Sequence, residues 1–338
     1  MKANSLDNFV APAETINVLA RQLFGSGVKA TLETESEDTR VNGTVIKATL
    51  CAEEKRCPLI LKVVDHGLHE ANAFRVLGEG GATIAKLYAT FCAADGREVL
   101  VLERLERIGI DGSDVDAFGK FVDTLARFNA TPAQPLPTKP TGWLRRWLSI
   151  SHRAWQRADS GAYGVELAQA ASKLHDSWSR QEQLAGNIEC ELAALPVSAT
   201  HEDPLFGNCG WRNEKELVLF DLSYCTRHPA LCDLALCLGA CSQRWPEHLG
   251  KRPWIECYCE SYSRRARHPI SVATAERAVA LHQAASVMWL DERTFGRCDQ
   301  NCTDPRTSAR DGWGGGLART WRRLDRMLTD GVEAALIT

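Results

Sequence analysis

The sequence predicts an α+β protein of two lobes, a small antiparallel sheet lobe followed by a mainly helical one. Three observations carry this. After a first helix, residues 28–105 read as strand, strand, strand, helix, strand, strand. Residues 106–338 read mostly at helical period, broken by one hairpin. The 338 residues are enough for two lobes with real cores.

The elements follow in order. A helix is expected over 13–24, with Ile16, Leu19, Ala20 and Leu23 on one face and Gly25 as its stop. Residues 28–34, 43–50 and 57–64 read as strands, with a polar link at 35–42 between the first two. Leu68 to Leu77 returns to helical spacing and ends at Gly78-Glu79-Gly80-Gly81. Strands at 84–92 and 98–105 flank an Ala-Asp-Gly turn. Asp114 to Ala130 carries Phe118, Phe121, Val122, Leu125 and Phe128 at helical spacing. A Pro-rich link at 131–141 leads to helices over 143–157 and 163–195. Further helices are expected at 229–241, 254–266, 273–290 and 317–328. Gly314-Gly315-Gly316 lacks the strand-then-helix context of a dinucleotide fingerprint and receives no phosphate role.

Composition narrows the function classes. A net charge of −3 gives no electrostatic reason for a nucleic-acid partner. The amino terminus has no apolar signal segment, and no run reaches the roughly 20 apolar residues of a membrane span. The expected compartment is the cytoplasm. The 13 cysteines are irregularly spaced, which argues against a disulfide framework. Without a Cys-x-x-Cys pair, a structural zinc site is not expected, and Cys232, Cys237 and Cys241 read as small core residues.

The chemistry concentrates at His201-Glu202-Asp203-Pro204-Leu205-Phe206-Gly207-Asn208, with Asp221 beyond it in Leu217-Val218-Leu219-Phe220-Asp221-Leu222. An Asp, an Asn and a second Asp beside a hairpin are the set that phosphoryl transfer needs. One carboxylate takes the proton of an acceptor hydroxyl, while an amide oxygen and the other carboxylate hold Mg²⁺ against nucleotide phosphates. Lys62 adds to this. It interrupts the apolar run Leu59-Ile60-Leu61 and Val63-Val64, where a lysine is costly unless it meets an anion. Glu70, on the next helix, can supply that anion. Singly, a snorkelling lysine or a solvated glutamate would be the plainer reading; the order of all five residues favours the functional one.

These motifs resemble the aminoglycoside phosphotransferase and choline kinase family, the small-molecule branch of the protein-kinase-like fold. Leu61-Lys62-Val63 with Glu70 resembles its strand lysine and helix glutamate. Leu125-Ala126-Arg127-Phe128-Asn129-Ala130 resembles its Leu-Ala-x-Leu-His-Ala helix, with Asn129 where His is usual. His201-x-Asp203-x-x-x-x-Asn208 resembles the catalytic loop, Phe220-Asp221 the metal segment, and Pro229 to Ala235 the stretch written Gly-Asp-Pro-x-x-Asp-Leu-Ala.

The resemblance implies a protein-kinase-like fold and a set of roles. Asp203 and Asn208 are catalytic, and Asn208 and Asp221 hold Mg²⁺. Lys62, Glu70, Asn42, Gly43, Glu103 and Leu105 bind nucleotide, the last two through the interlobe link. His201 and Asp233 brace the loop. Tyr224, Trp289, Asp291 and Glu292 face a small-molecule hydroxyl acceptor, where acidic groups near an aromatic suit an amine. The donor is ATP, or GTP. Two departures stand out. Glu202 occupies a position usually held by Gly, and either raises the pKa of Asp203 or points to solvent. Glu35, Glu37 and Asp38 lie near the expected nucleotide loop, and either face outward or contact a cationic substrate. A catalytically silent nucleotide-binding regulator on the same fold is the alternative. A protein kinase ranks last, because Asp-Phe-Gly and Ala-Pro-Glu segments are missing.

Overall fold

The structure is a computed structural model that describes residues 11–40, 43–64, 69–149, 178–239 and 245–288, together with 152 and 172. Its first layer is a five-stranded antiparallel sheet. The strands are β1 (Thr31–Arg40), β2 (Gly43–Ala52), β3 (Lys55–Val64), β4 (Leu87–Cys92) and β5 (Glu98–Glu103), in the order β1-β2-β3-β5-β4. Strand alternation sorts its side chains onto two faces. Leu59, Leu61, Val63, Val99 and Val101 pack with Ile46, Ala48 and Leu50 under helix α1 (Ala13–Phe24), which contributes Leu19. The opposite face carries Val64, Leu100 and Leu102 into a second, larger core. Lys62 lies between Leu61 and Val63 in sequence and so points to that second face, against helix α2 (Glu70–Glu79).

The second core joins Phe74 and Leu77 of α2 to the helical region. There α3 (Val115–Asn129) supplies Phe118, Phe121, Val122, Leu125 and Phe128, all fully buried. Asp114 caps α3 by accepting from the amides of Asp116 and Ala117 at 2.9 and 3.2 Å, a contribution of about 1 kcal/mol. Helix α4 is Trp178–Leu192. Strands β7 (Val197–Thr200) and β10 (Thr226–Pro229) pair as a two-stranded sheet. Strands β6 (Arg107–Ile108), β8 (Cys209–Arg212) and β9 (Glu216–Leu219) form a third, in the order β6-β8-β9. Helices α5 (Cys232–Leu238), α6 (Arg252–Ser263) and α7 (Val272–Met288) close the core. No helix among the described residues is long and apolar enough to cross a membrane.

Two departures from expectation stand out. Residues 106–338 carry, besides the one expected hairpin, the short strand β6 and the pair β7–β10, so Pro229, expected to open a helix, instead ends a strand. The polar link at 35–42 is instead largely strand, because β1 continues to Arg40 and pairs Arg40 with Gly43. β1 is an edge strand, exposed along most of its length, so its sequence shows no apolar alternation. Glu35, Glu37 and Asp38 are therefore strand residues. Glu35 accepts from Thr49 at 2.6 Å and from Arg104 at 2.7 Å. Asn42 and the helix expected at 317–328 lie outside the described residues, as does Cys241, while Cys232 and Cys237 are buried as expected.

Candidate active site

The hairpin of β8 and β9 sets the centre of the site. Cys209 pairs with Leu219, so Asn208 and Phe220 meet at its open end, where the Phe220 amide donates to the Asn208 carbonyl at 3.0 Å. Asn208 and Asp221 thus lie on adjacent chain segments. The loop before Asn208 is anchored by Phe206, whose ring meets Phe121 and Phe118 edge-on at 5.2 and 5.8 Å. Asn208 Nδ2 donates to both the carbonyl and the carboxylate of Asp203, each at 3.0 Å. That bond turns the amide nitrogen toward Asp203. Burial pushes the Asp203 carboxyl above its usual value, and the neighbouring Asp221 charge adds to the rise.

Asp233, fully buried at the start of α5, holds the loop from beneath. It accepts from the His201 amide at 2.8 Å, the Glu202 amide at 3.0 Å and Asn129 Nδ2 at 2.7 Å. Asn129 also donates to the Ala199 carbonyl at 2.7 Å and accepts from the Tyr258 hydroxyl at 2.9 Å. The Asn129 amide makes three bonds here, two as donor and one as acceptor, where a neutral imidazole has one donor and one acceptor nitrogen, which accounts for Asn129 where the family resemblance expects His. His201 is fully buried and its Nε2 meets the Phe220 carbonyl at 2.8 Å, tying the loop to the segment that carries Asp221.

Lys62 reaches this centre from β3. Its Nζ lies 2.8 Å from Glu70 Oε1, 2.7 Å from Asp221 Oδ1 and 3.1 Å from Ser223 Oγ. Glu70, with no exposure, also accepts from the Leu222 amide at 3.1 Å and the Ser223 hydroxyl at 3.0 Å. Burial pushes the Glu70 carboxyl up, partly offset by Lys62. Burial also pushes Asp221 up, but Lys62 and Ser223 outweigh it, so Asp221 sits below its usual value. Asp221 takes φ 61°, a left-handed conformation that turns its side chain back toward Lys62.

The remaining sequence expectations divide. Gly43 opens β2 opposite Val64. The Glu103 amide donates to the Lys86 carbonyl at 2.9 Å, so that amide is already engaged inside the protein. Its carboxylate receives Arg212 bidentately at 2.7 and 2.6 Å. Leu105 is buried in the link that follows. Tyr224 is 43% exposed next to Ser223. Trp289, Asp291 and Glu292 lie outside the described residues. Glu202 adopts φ 66°, a position where glycine is the unstrained residue. Its carboxylate turns to Lys139 at 2.6 Å and to the hydroxyls of Thr200 and Thr226 at 3.2 and 3.1 Å, and not to solvent. Sequence reasoning missed Ser223 and Lys139. A serine two residues beyond Asp221 was the only local signal for the first, and the Pro-rich link gave none for the second.

The donor set suits Mg²⁺. Asp221 is ionised and Asn208 offers an amide oxygen, hard ligands that leave the other coordination positions to phosphate and water. Comparison with known proteins gives the family and the fold. The profile of the phosphotransferase enzyme family matches residues 49–270. Choline kinase from Cryptosporidium parvum superposes with a TM-score of 0.61 at 11% identity, covering 96% of this chain and 98% of that one. Plasmodium vivax ethanolamine kinase gives 0.56 at 13% identity, covering 93% and 95%. An aminoglycoside phosphotransferase from Alicyclobacillus acidocaldarius gives 0.52 at 14% identity, covering 96% and 98%. A search of curated proteins finds no match. The two-lobed protein-kinase-like α+β fold expected from the sequence is the fold these structures share with this chain.

Proposed function

The chain belongs to the phosphotransferase enzyme family, and from that membership we propose that it is an ATP- and Mg²⁺-dependent kinase of a small hydroxylated molecule. The supporting observation is the convergence of Lys62, Glu70 and Asp221 within hydrogen-bond distance, beside the linked Asp203 and Asn208. In this reading Asp203 takes the proton of the acceptor hydroxyl as its oxygen bonds to the γ-phosphorus. The bond from that phosphorus to the β-phosphate oxygen breaks, and ADP leaves. Mg²⁺, when bound, neutralises charge on the phosphates. Lys62 releases Asp221 to meet the α- and β-phosphates, while Glu70 and Ser223 keep its ammonium in place.

Nucleotide is assigned to residues 1–105, with Gly43, Asn42 and the link at Glu103 and Leu105 around it. The acceptor is assigned to residues 106–338, with Tyr224, Trp289, Asp291 and Glu292 as its contacts. GTP is the second donor to be tested. An aminoglycoside or other antibiotic, an amino alcohol, an amino acid or a sugar is the acceptor class. The experiment is a thermal-shift series with ATP, GTP and Mg²⁺, followed by an ADP-release screen over those acceptors. Mg²⁺-linked nucleotide binding with ADP release on one acceptor class is the expected result. Nucleotide binding without ADP release on any acceptor would replace the kinase with a silent regulator.

A further inference from the structure

Beneath the catalytic loop lies a second group of chemistry-bearing side chains that phosphoryl transfer does not use. His228 is the next-to-last residue of β10, Cys232 begins α5, and His282 projects from α7. One potential ligand atom from each lies within 4.8 Å of the others. All three residues are buried, His228 with no exposure and His282 with 4%. Both ring nitrogens of His228 lack a hydrogen-bond partner among the described residues. A fully buried imidazole with two unmade bonds is rare in proteins and calls for a partner.

We propose that His228, Cys232 and His282 form a buried binding site for a thiophilic transition-metal ion, zinc in the first place. Two imidazoles and a thiolate are a soft donor set that suits zinc and excludes Mg²⁺ and Ca²⁺ as preferred occupants. His282 Nε2 meets the Ala230 carbonyl at 3.1 Å, and the neighbouring Pro229 backbone also bonds the ring. A ring held by a backbone carbonyl at one nitrogen is the usual posture of a metal-ligating histidine, because the bond fixes the tautomer and aims the other nitrogen. Burial keeps both rings neutral: it pushes His228 far below its usual value and His282 down to about 4. Neutral rings have the lone pairs that a metal needs. Burial also pushes the Cys232 thiol up, so binding would expel its proton as the S–metal bond forms.

The surroundings bear on charge. Lys139 opposes a cation here, but its ammonium is paired with Glu202 at 2.6 Å and covered by the rings of Trp143 and Trp147. Asp233 and Glu202 are the acidic groups close enough to act on Cys232. In a tetrahedral zinc site ligand atoms sit about 3.3–3.6 Å apart, given bond lengths of about 2.0–2.3 Å. Binding would therefore tighten the cluster by no more than about 1.5 Å. With three protein ligands, a fourth position remains for water. The ion would tie β10 to α5 and α7, next to the aspartate that holds the loop.

The test uses the full chain. Metal content is measured after growth with added zinc, and the stripped chain is titrated with cobalt(II), whose thiolate ligation gives a charge-transfer band. About one zinc per chain and a cobalt–thiolate band are expected. Cys232→Ser should remove the band, and His282→Gln should weaken cobalt binding more than about 100-fold, beyond the effect of losing an outer partner. Asp221→Asn should leave both unchanged, so failure of the kinase reading and failure of this one can be told apart. A folded wild-type chain with no zinc and no cobalt–thiolate band would overturn the proposal, as would a band undiminished in Cys232→Ser. If the variants do not fold, the stripped wild type decides. A rise in Tm with zinc and not with Mg²⁺ supports the site, and an unchanged Tm overturns it.

Discussion

Two buried polar clusters in this protein are satisfied in opposite ways. Lys62, Glu70, Asp221 and Ser223 close on themselves, with the lysine and the serine hydroxyl each meeting the other three side chains. His228, Cys232 and His282 do not: His228 has no partner at either nitrogen among the described residues. The first cluster is held together by charge, one ammonium between two carboxyl groups, and a ligand must open it. The second has unused capacity, and a ligand would complete it. Burial costs each of them, but only the first repays that cost within the chain.

Lys62→Met tests the first cluster most severely. It leaves Glu70 and Asp221 together without their cation, and Glu70 has no exposure. A loss of about 3–5 kcal/mol in stability is expected from denaturant melts, together with loss of phosphoryl transfer. A change below about 1 kcal/mol would show that the glutamate is neutral and that the cluster is not held by charge.

Asp203→Asn comes next, because it keeps shape while removing the base. A fall of about 10²–10⁴-fold in kcat is expected, with Tm little changed. The pH profile of the wild type gives an independent reading. Burial and Asp221 raise the Asp203 carboxyl, so the base is lost at a higher pH than an ordinary aspartate would be. The acidic limb of kcat/KM should therefore lie above the usual aspartate value of about 3.9. A limb at or below that value would remove Asp203 from the role.

The site was legible in sequence to the extent that chemistry made residues costly or specifically spaced. Lys62 could be read because a lysine in an apolar run needs an anion, and Glu70 because helix α2 follows β3 directly. Asp203, Asn208 and Asp221 could be read because one loop and one hairpin carry them. Ser223 could not, since a serine after Asp221-Leu222 looks like any turn residue. Nor could the partner of Glu202: Lys139 arrives from an irregular link, and no periodicity points a side chain in such a segment. The extension of β1 was hidden because an edge strand is polar on both faces. The histidine–cysteine cluster was hidden because its ligands come from a strand end, a helix start and a distant helix. The expectation of no structural zinc site rested on cysteine spacing alone, which cannot register a cluster assembled by tertiary packing.

His228→Leu separates the two clusters by sign. In the metal-free chain it removes a buried imidazole whose polar atoms are unmet among the described residues, so stability should rise by about 1–3 kcal/mol. In the zinc-loaded chain it should fall, because a ligand is lost. The comparable swap at Lys62 destabilises with or without metal. If His228→Leu were destabilising in zinc-free buffer, the ring would have a partner and the contrast between the clusters would fail.

Glu202→Gly is expected to have the smallest effect, and it decides what the unusual glutamate does. Glu202 pays for a left-handed backbone at φ 66°, which glycine would relieve by about 1 kcal/mol. Against that, its carboxylate holds Lys139 with both side chains only 12% exposed, a charge-assisted bond worth about 2–3 kcal/mol. Lys139 would keep its places over Trp143 and Trp147, so the loss is cushioned. The net expectation is a destabilisation of about 1–2 kcal/mol, read as a Tm lower by a few degrees. The loop itself should hold, because the bond to Asp233 comes from the residue 202 amide, which glycine retains. Since the rise in the Asp203 carboxyl comes from burial and Asp221, the acidic limb should stay where it is. A limb that moved down in Glu202→Gly would make Glu202 a positioning residue that tunes the base. An unmoved limb with the expected loss of stability leaves it as the clamp between the catalytic loop and Lys139.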